Sequence, residues 1–493
     1  MAAATALAKP SHVFDRDREW RALTGFTADP RPEATLGIVS GRRRQGKTYL
    51  LRSIAAAANG FFYEALEATE AESLRMFGAA LARHVGSPAD FTFGSWEGAL
   101  GYFFGLAKDR PIPLIIDEFP FLVKVSPSLP SLLRREIDRF GPSQGSGNRA
   151  RVLLCGSAMS VMGRLLASSA PLRGRAGLEM IVQPFGYRDA ARFWGADEPS
   201  LAVQLHAIVG GTPAYRRQFV RDDAPAGPAD FDDWVVRTVL NPDGPLLRES
   251  RYLLAEEAEI RDPALYYSVL AAIAAGSNTW GGIASYIGRK TADIAHPLNV
   301  LEDCHLVGKE RDAFRTGRTR YRITEPLIAF YEAIMRPRWG DLELGLGDEV
   351  WEDARQAFNS QVARPHFEEL CREFARQHGR QVFGAPVSLV SAGTVQDPDN
   401  KTQIEIDVAA LGIAEPGQPR PVISIGEAKW GKVMGVRHLE RLRRARALLS
   451  AKGYDTARTV LACYSGAGFD DALKAAAADD VVLIDVEHLY APH

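Results

Sequence analysis

Cysteine is scarce: the 493 residues contain four, Cys155, Cys304, Cys371 and Cys463. They lie far apart and form no CxxC pair, which excludes a zinc knuckle and a disulfide framework. Charge of one sign is missing too. Lys and Arg total 59 against 61 Asp and Glu, leaving −2. A uniformly basic nucleic-acid coat protein is therefore excluded, although a local basic patch is not. No apolar run approaches the ~20 residues that span a bilayer, so no membrane partner is expected. The opening MAAATALAKPSHVFDRDREW lacks a basic stretch followed by a long apolar core. No signal peptide is expected, and the cytoplasm is the default location. His296, His305, His366 and His438 have no ligand-like spacing. No Ser-His-Asp order stands out, and nothing points to haem, flavin or nicotinamide. Hydrophobic residues make up 46% and charged residues 24%, which excludes a wholly disordered chain. The length suggests about three domains.

Between about residues 35 and 200, short apolar runs alternate with helical patterns. LGIVS (36–40), FFYEAL (61–66), PLIIDEF (113–119) and RVLLCGS (151–157) read as buried parallel strands joined by crossover helices. That alternation predicts an α/β domain. Residues 226–345 read as mostly helical, with one hairpin. Residues 350–493 turn α/β again, beginning with the helical RPHFEELCREFARQHG (364–379). Strand-like runs follow at 403–411, 421–430, 459–465 and 481–486. The loops at 141–148 and 415–421 carry the Gly, Pro and Ser that turns use.

GRRRQGKT (41–48) follows a strand and opens a helix. Gly41 and Gly46 permit a tight backbone whose N–H groups wrap phosphate oxygens. Lys47 would reach the β- and γ-phosphates, and Thr48 would offer a hydroxyl to Mg²⁺. The strand PLIIDE ends in Asp117 and Glu118. A doubly wound sheet places its ligand at strand ends. Asp117 would hold Mg²⁺ through water, and Glu118 would orient or deprotonate the attacking water. Ser157 closes the next strand, where it would read the γ-phosphate state or cap a helix. Arg173 and Arg175 are candidates for a charge-stabilising arginine, in cis or from a neighbouring copy. The second source would make the protein a homo-oligomer.

FDRDREW (14–20), GRRRQGKT, LIIDEF, LLCGSAMS, LRGR and GGTPAYRRQF (210–219) together resemble the archaeal-type AAA ATPases close to the STAND NTPases. The resemblance covers about residues 12–225. It implies a P-loop NTPase parallel-sheet domain with a helical lid, binding ATP with Mg²⁺. Phe14, Arg16 and Glu19 would frame the nucleotide, and Gly210, Gly211, Pro213 and Tyr215 would map to the lid. Three helical segments and a basic hairpin across 264–330 resemble a winged helix-turn-helix domain, assigned to 226–345. Its wing would present Lys309, Arg311, Arg315, Arg318 and Arg320, with Arg322 beside them, to DNA phosphates. Protein contact is the alternative use of such a module.

Near the C-terminus, Asp407 lies in IEIDVAAL, and Glu427 and Lys429 lie in ISIGEAKW. Residues two apart on a strand share a face, so Glu427 and Lys429 face one cleft. A hairpin would bring Asp407 beside them. Two carboxylates can hold a divalent metal while a lysine activates water. Glu368 could add a third carboxylate, with Glu369 as its competitor. A salt-bridged sheet is the bland reading of the same residues. The Glu…Asp…Glu-x-Lys order resembles the PD-(D/E)XK nucleases over about residues 360–490, and the α/β domain is assigned to 350–493. Ile406 stands where that family's motif has proline. The resemblance implies Glu368, Asp407 and Glu427 as metal ligands and Lys429 as the catalytic lysine. Arg437, Arg441, Arg443 and Arg444 form a basic helix face, suited to a phosphate backbone or equally to solvent exposure. Trp430 would pack in a core or touch a base. The expected function is an ATP-hydrolysing DNA-binding protein with a nucleotide-gated nuclease. The alternative is a STAND-like switch whose nuclease-like domain is inactive and binds DNA or a protein.

Overall fold

The computed structural model describes residues 7–108, 110–140, 147–167, 170–255 and 263–491. The first six residues and most of the Gly/Ser loop expected at 141–148 lie outside the described residues. The chain forms two compact units that divide between Pro184 and Phe185. The expected boundary at 225 falls within the second of these units. Among the described residues, no helix is long and apolar enough to cross a membrane.

The first unit is built on five strands: β1 (Thr35–Ser40), β2 (Phe61–Glu64), β3 (Ile112–Asp117), β4 (Ala150–Gly156) and β5 (Ala176–Ile181). They lie in the order β2-β3-β4-β1-β5, every neighbour pair parallel. β3 and β4 are buried along their whole length, while β5 at the edge alternates. A strand covered on both faces is mostly apolar, which explains the IPLII run of β3 and the VLLC run of β4; the buried Arg151 of β4 is held by the Asp29 and Arg31 carbonyls. Alternate residues feed two cores. Leu114, Ile116, Val152 and Leu154 join Phe77, Trp96 and Phe103 on one face. Ile115, Leu153 and Cys155 join Trp20, Leu23 and Ile54 on the other.

The second unit begins with helices Tyr187–Trp194 and Pro199–Val209. Helices Pro263–Ala274, Trp280–Ile287 and Thr291–Asp303 follow, and lead into the antiparallel hairpin β6 (Val307–Arg311) and β7 (Thr319–Ile323). Val269, Ile283, Leu298, Leu301 and Tyr321 make their shared core. Helix Arg364–Phe383 then precedes a second sheet of β8 (Leu389–Asp397), β9 (Thr402–Leu411), β10 (Val422–Lys429), β11 (Val460–Ser465) and β12 (Val481–Asp485). The order is β12-β11-β10-β9-β8, antiparallel across β8, β9 and β10 and parallel across β10, β11 and β12. Tyr187 and Val203 share a core with Phe367, Leu370, Tyr464 and Leu489. The Tyr187 hydroxyl and Arg188 Nε both donate to the Leu489 carbonyl at 2.8 Å. That packing assigns the helices after Pro184, including the expected lid, to the second unit.

β8 has no counterpart among the strands expected from sequence. Its LVSAGTVQD carries little bulk, and its register slips between Ser391 and Gly393. A Cβ on Gly393 would lie 2.5 Å from the Phe314 ring, so the glycine admits the hairpin loop.

Candidate functional site

The loop 41–48 lies at the C-terminal edge of the first sheet, directly after β1. Gly41 has φ 149°, and a Cβ there would meet the Val182 carbonyl at 2.5 Å. Gly46 has φ 81° and Arg44 φ 68°, and helix Lys47–Ala57 starts directly after them. The left-handed residues curl the loop back on itself before the helix. Lys47 is buried, and its Nζ donates to the Arg42 carbonyl at 2.7 Å. Burial pulls its ammonium below the ordinary lysine range, opposed by the charges of Cys155, Glu118 and Asp117.

Thr48 Oγ1 donates to Asp117 Oδ2 at 2.6 Å. The Glu118 N–H donates to Asp117 Oδ1 at 2.9 Å. Glu118 itself has φ 51°, a left-handed conformation that costs a non-glycine residue on the order of 1 kcal/mol and clusters at functional sites. The Ser157 hydroxyl lies 3.1 and 3.2 Å from the two Glu118 carboxylate oxygens. Parallel neighbours therefore bring the 41–48 loop, Asp117, Glu118 and Ser157 to one edge. Arg16 is buried and donates to the Gln45 carbonyl in the loop at 3.2 Å and to the Gln183 carbonyl at 2.8 Å, with Glu19 at 3.5 Å. It frames the loop by bracing its backbone.

Arg173 and Arg175 are not part of this edge. They precede β5, whose Ala176 is in register with Leu36 while Ile181 is level with Ser40. In a parallel sheet that places both arginines at the edge opposite the phosphate loop, about 16 Å away by strand rise. Arg175 pairs with Asp138 at 2.6 Å. Their expected service to the loop of the same chain is thereby overturned by strand direction.

In the second unit, Gly210 has φ 55°, and Gly211 lies against the Phe185 backbone. The Tyr215 hydroxyl lies 3.4 Å from Glu325 Oε1. The hairpin's charges divide by strand alternation. Lys309 stands over Tyr321 and is exposed, as is Arg311. Arg320 turns to Glu405 at 3.4 Å and to Thr394 Oγ1 at 3.2 Å, and Arg318 reaches the same hydroxyl at 3.4 Å. Arg315 reaches Gln403 Oε1 at 3.4 Å. Asp312 binds the Thr394 N–H at 3.1 Å and its hydroxyl at 2.8 Å.

The antiparallel β9–β10 pair brings Asp407, Glu427 and Lys429 together. Val408 is in register with Gly426. Asp407 Oδ2 accepts from the Ala428 N–H at 2.9 Å. Lys429 Nζ lies 2.8 Å from Glu427 Oε1 and 3.9 Å from Asp407 Oδ2. Burial, then the charge of Glu368, pushes the Asp407 carboxyl up to about 7, with Lys429 opposing. Glu427 is 2% exposed, and its Oε2 is buried with no hydrogen-bond partner. Arg441 approaches its Oε1 at 3.3 Å.

Glu368 acts on Asp407 through its charge but binds Arg364 at 3.1 Å. Glu369 is held by Arg372, Arg376 and Arg322. Among the described residues, no group of three or more His, Cys, Asp or Glu side chains is arranged to hold a metal ion. The expected three-carboxylate set therefore reduces to Asp407 and Glu427, because Arg364 occupies Glu368. Of the expected basic helix face, Arg444 pairs with Asp397 and Asp399, and Arg443 binds the Ala476 carbonyl. Trp430 packs on Phe367 and donates to Asn359. Sequence reasoning missed Arg372, which donates to the Asp407 carbonyl at 3.0 Å. Its signal was helical spacing from Glu368 and Glu369.

No family model matches the chain. An uncharacterized protein of Methanocaldococcus jannaschii is 26% identical over 364 residues, 73% of this chain and 76% of that protein. A Walker-type ATPase of Pyrococcus abyssi aligns at TM-score 0.49 and 20% identity, over 65% of this chain and 96% of its own. The ORC2 protein of Aeropyrum pernix aligns at 0.37 and 15%, over 66% and 89%. Cdc6p from Pyrobaculum aerophilum aligns at 0.32 and 14%, over 71% and 97%. The first unit is an α/β domain with a parallel five-stranded sheet.

Proposed function

We propose that this chain is an archaeal-type AAA ATPase that associates with DNA and uses nucleotide state to govern a metal-dependent phosphodiesterase site. The observation that carries the reading is the Thr48–Asp117 contact of 2.6 Å beside Lys47 and Glu118. A hydroxyl and a carboxylate converging at the tip of a phosphate loop suit a hydrated Mg²⁺, so Thr48 and Asp117 would hold it. Bound there, Mg²⁺ would neutralise charge on the β- and γ-phosphates. Lys47 would bind the same phosphates, and Glu118 would orient the attacking water. Ser157 restrains Glu118 until a γ-phosphate competes for its hydroxyl. In the second unit, the orphaned Glu427 Oε2 with Asp407 suits a divalent cation. Lys429 would orient a hydrolytic water. DNA would meet the exposed Lys309 and Arg311 and, after release from Gln403, Arg315. Arg318 and Arg320 would join them only on leaving Thr394 and Glu405. Arg173 would serve a neighbouring copy in an oligomer.

ATP hydrolysis with Mg²⁺ tests the first part. Lys47→Ala and Glu118→Gln should both lose turnover, with Glu118→Gln still binding nucleotide. Wild-type turnover in Lys47→Ala would refute it. Cleavage of linear, single-stranded and branched DNA with Mg²⁺ or Mn²⁺, in wild type and Lys429→Ala, tests the second. A switch with an inactive nuclease-like domain is the second reading. It is favoured by the two cations, Lys429 and Arg441, that already neutralise Glu427. It gains the case if ATP turns over and no DNA is cut.

A further inference from the structure

A chain of ion pairs joins the basic hairpin to the carboxylate strand. Arg322 of β7 binds Glu310 of β6 at 3.1 Å and Glu369 of helix Arg364–Phe383 at 3.3 Å. Glu369 also holds Arg372 at 2.8 Å and Arg376 at 3.0 Å. Arg372 reaches Glu310 at 3.8 Å. Its Nη1 donates to the Asp407 backbone carbonyl at 3.0 Å. The Arg372 side chain is 8% exposed, that of Arg322 37%.

A packed apolar cluster would hold a helix on a sheet at least as well as buried ions do. What the ions add is direction, because a planar guanidinium fixes both partners in its plane. Strand alternation gives the same division of labour. Tyr321 closes the helical core under Lys309, while on the opposite face Glu310 and Arg322 meet helix Arg364–Phe383 and Arg320 meets β8 and β9. The inward face of the hairpin is thus attached at Asp407 through Arg372, and at the flanking β8 and β9 through Thr394 and Glu405.

We infer that Arg372 is a positioning residue for the Asp407–Glu427 pair, and that the hairpin sets its place through Glu310, Arg322 and Glu369. A displacement of the hairpin, as by a bound polyanion, is passed to the backbone that carries Asp407. This inference rests on reading Asp407 and Glu427 as the metal-binding pair for its chemistry, but the coupling itself has a readout that needs no metal.

The experiment is hydrogen–deuterium exchange of the full metal-free chain, wild type against Arg322→Gln, Glu310→Gln and Arg322→Lys. Manganese affinity is measured on the same proteins and on Asp407→Asn. Arg322→Gln and Glu310→Gln should each speed exchange in β9 about tenfold and leave β12 unchanged. Both should weaken Mn²⁺ binding about tenfold, as loss of a residue supporting a ligand does. Arg322→Lys, which keeps the charge on Glu369, should restore most of both. Faster exchange confined to the hairpin, or no rescue by lysine, would overturn the coupling. A general rise that includes β12 in both glutamine variants would also overturn it, since that is mere loss of structure. Equal Mn²⁺ affinity in wild type and Asp407→Asn would overturn the metal reading, and the exchange result would still decide the coupling.

Discussion

Replacing Asp407 by asparagine should stabilise the metal-free chain at neutral and alkaline pH. Burial and the Glu368 charge raise this carboxyl from its ordinary 3.8 to about 7. The displacement corresponds to about 4 kcal/mol between its charged and neutral forms. The sign follows from proton binding. Below about pH 4 the group is neutral in folded and unfolded chain alike, and its folded environment suits it. Between about 4 and 7 the unfolded chain releases the proton and the folded chain keeps it, so stability falls as pH rises. Above about 7 the loss is complete. Asparagine keeps an acceptor for the Ala428 N–H and never ionises. The opposing Lys429 attraction is already contained in the raised value of about 7. The net difference should be about 2–4 kcal/mol at pH 8 and near zero at pH 4. Urea unfolding in EDTA, followed through the second unit's tryptophans from pH 4 to 8.5, measures it. An asparagine variant equal to or weaker than wild type at pH 8 would refute the argument that this carboxylate is held at a cost to folding.

Arg16→Ala should raise KM for ATP about tenfold with a smaller fall in kcat, since it removes donors to the Gln45 and Gln183 carbonyls that brace the loop rather than a group at the phosphates. Steady-state hydrolysis separates the two constants. Gly393→Val should destabilise the second unit by about 1–3 kcal/mol, because its side chain would enter the Phe314 ring, and differential unfolding reads this. Lys309→Glu with Arg311→Glu should weaken duplex binding and reduce its salt dependence by about two charges. Arg318→Glu with Arg320→Glu should instead loosen the hairpin from Thr394 and Glu405, detectable as faster exchange in β8 without DNA.

The parts legible in the sequence are those whose physics is local. β3 and β4 had to be apolar on both faces, and their ends had to stand at one edge once the sheet was parallel, so Asp117, Glu118 and Ser157 converge with the 41–48 loop. Glu427 and Lys429 share a face by alternation alone, and a single hairpin supplies Asp407. The ring of charge around these groups follows longer-range rules. Choosing between Glu368 and Glu369 required knowing that Arg322, some fifty residues upstream, would take the second.

The same distinction explains the failures, and it gives them a direction. Arg173 and Arg175 looked close to the loop because motif order suggests neighbourhood. In a parallel sheet, though, a residue before a strand and a residue after one are separated by the strand's length. Any service that these two arginines give a nucleotide would then be to that of a second copy. β8 was illegible because a strand with Ser, Gly and Thr facing a docked loop needs little apolar bulk of its own, its burial being supplied by Phe314 and by Asp312 on Thr394. The hairpin misled for the converse reason. Its arginines read as a solvated cationic surface, yet alternation turns Arg320 and Arg322 inward, onto Glu405 and Glu369. A cation count from sequence therefore overstates what a polyanion meets on the resting hairpin. The missing charges become available only when the hairpin leaves the second sheet, the movement that the Glu310–Arg322–Glu369–Arg372 chain would report to Asp407.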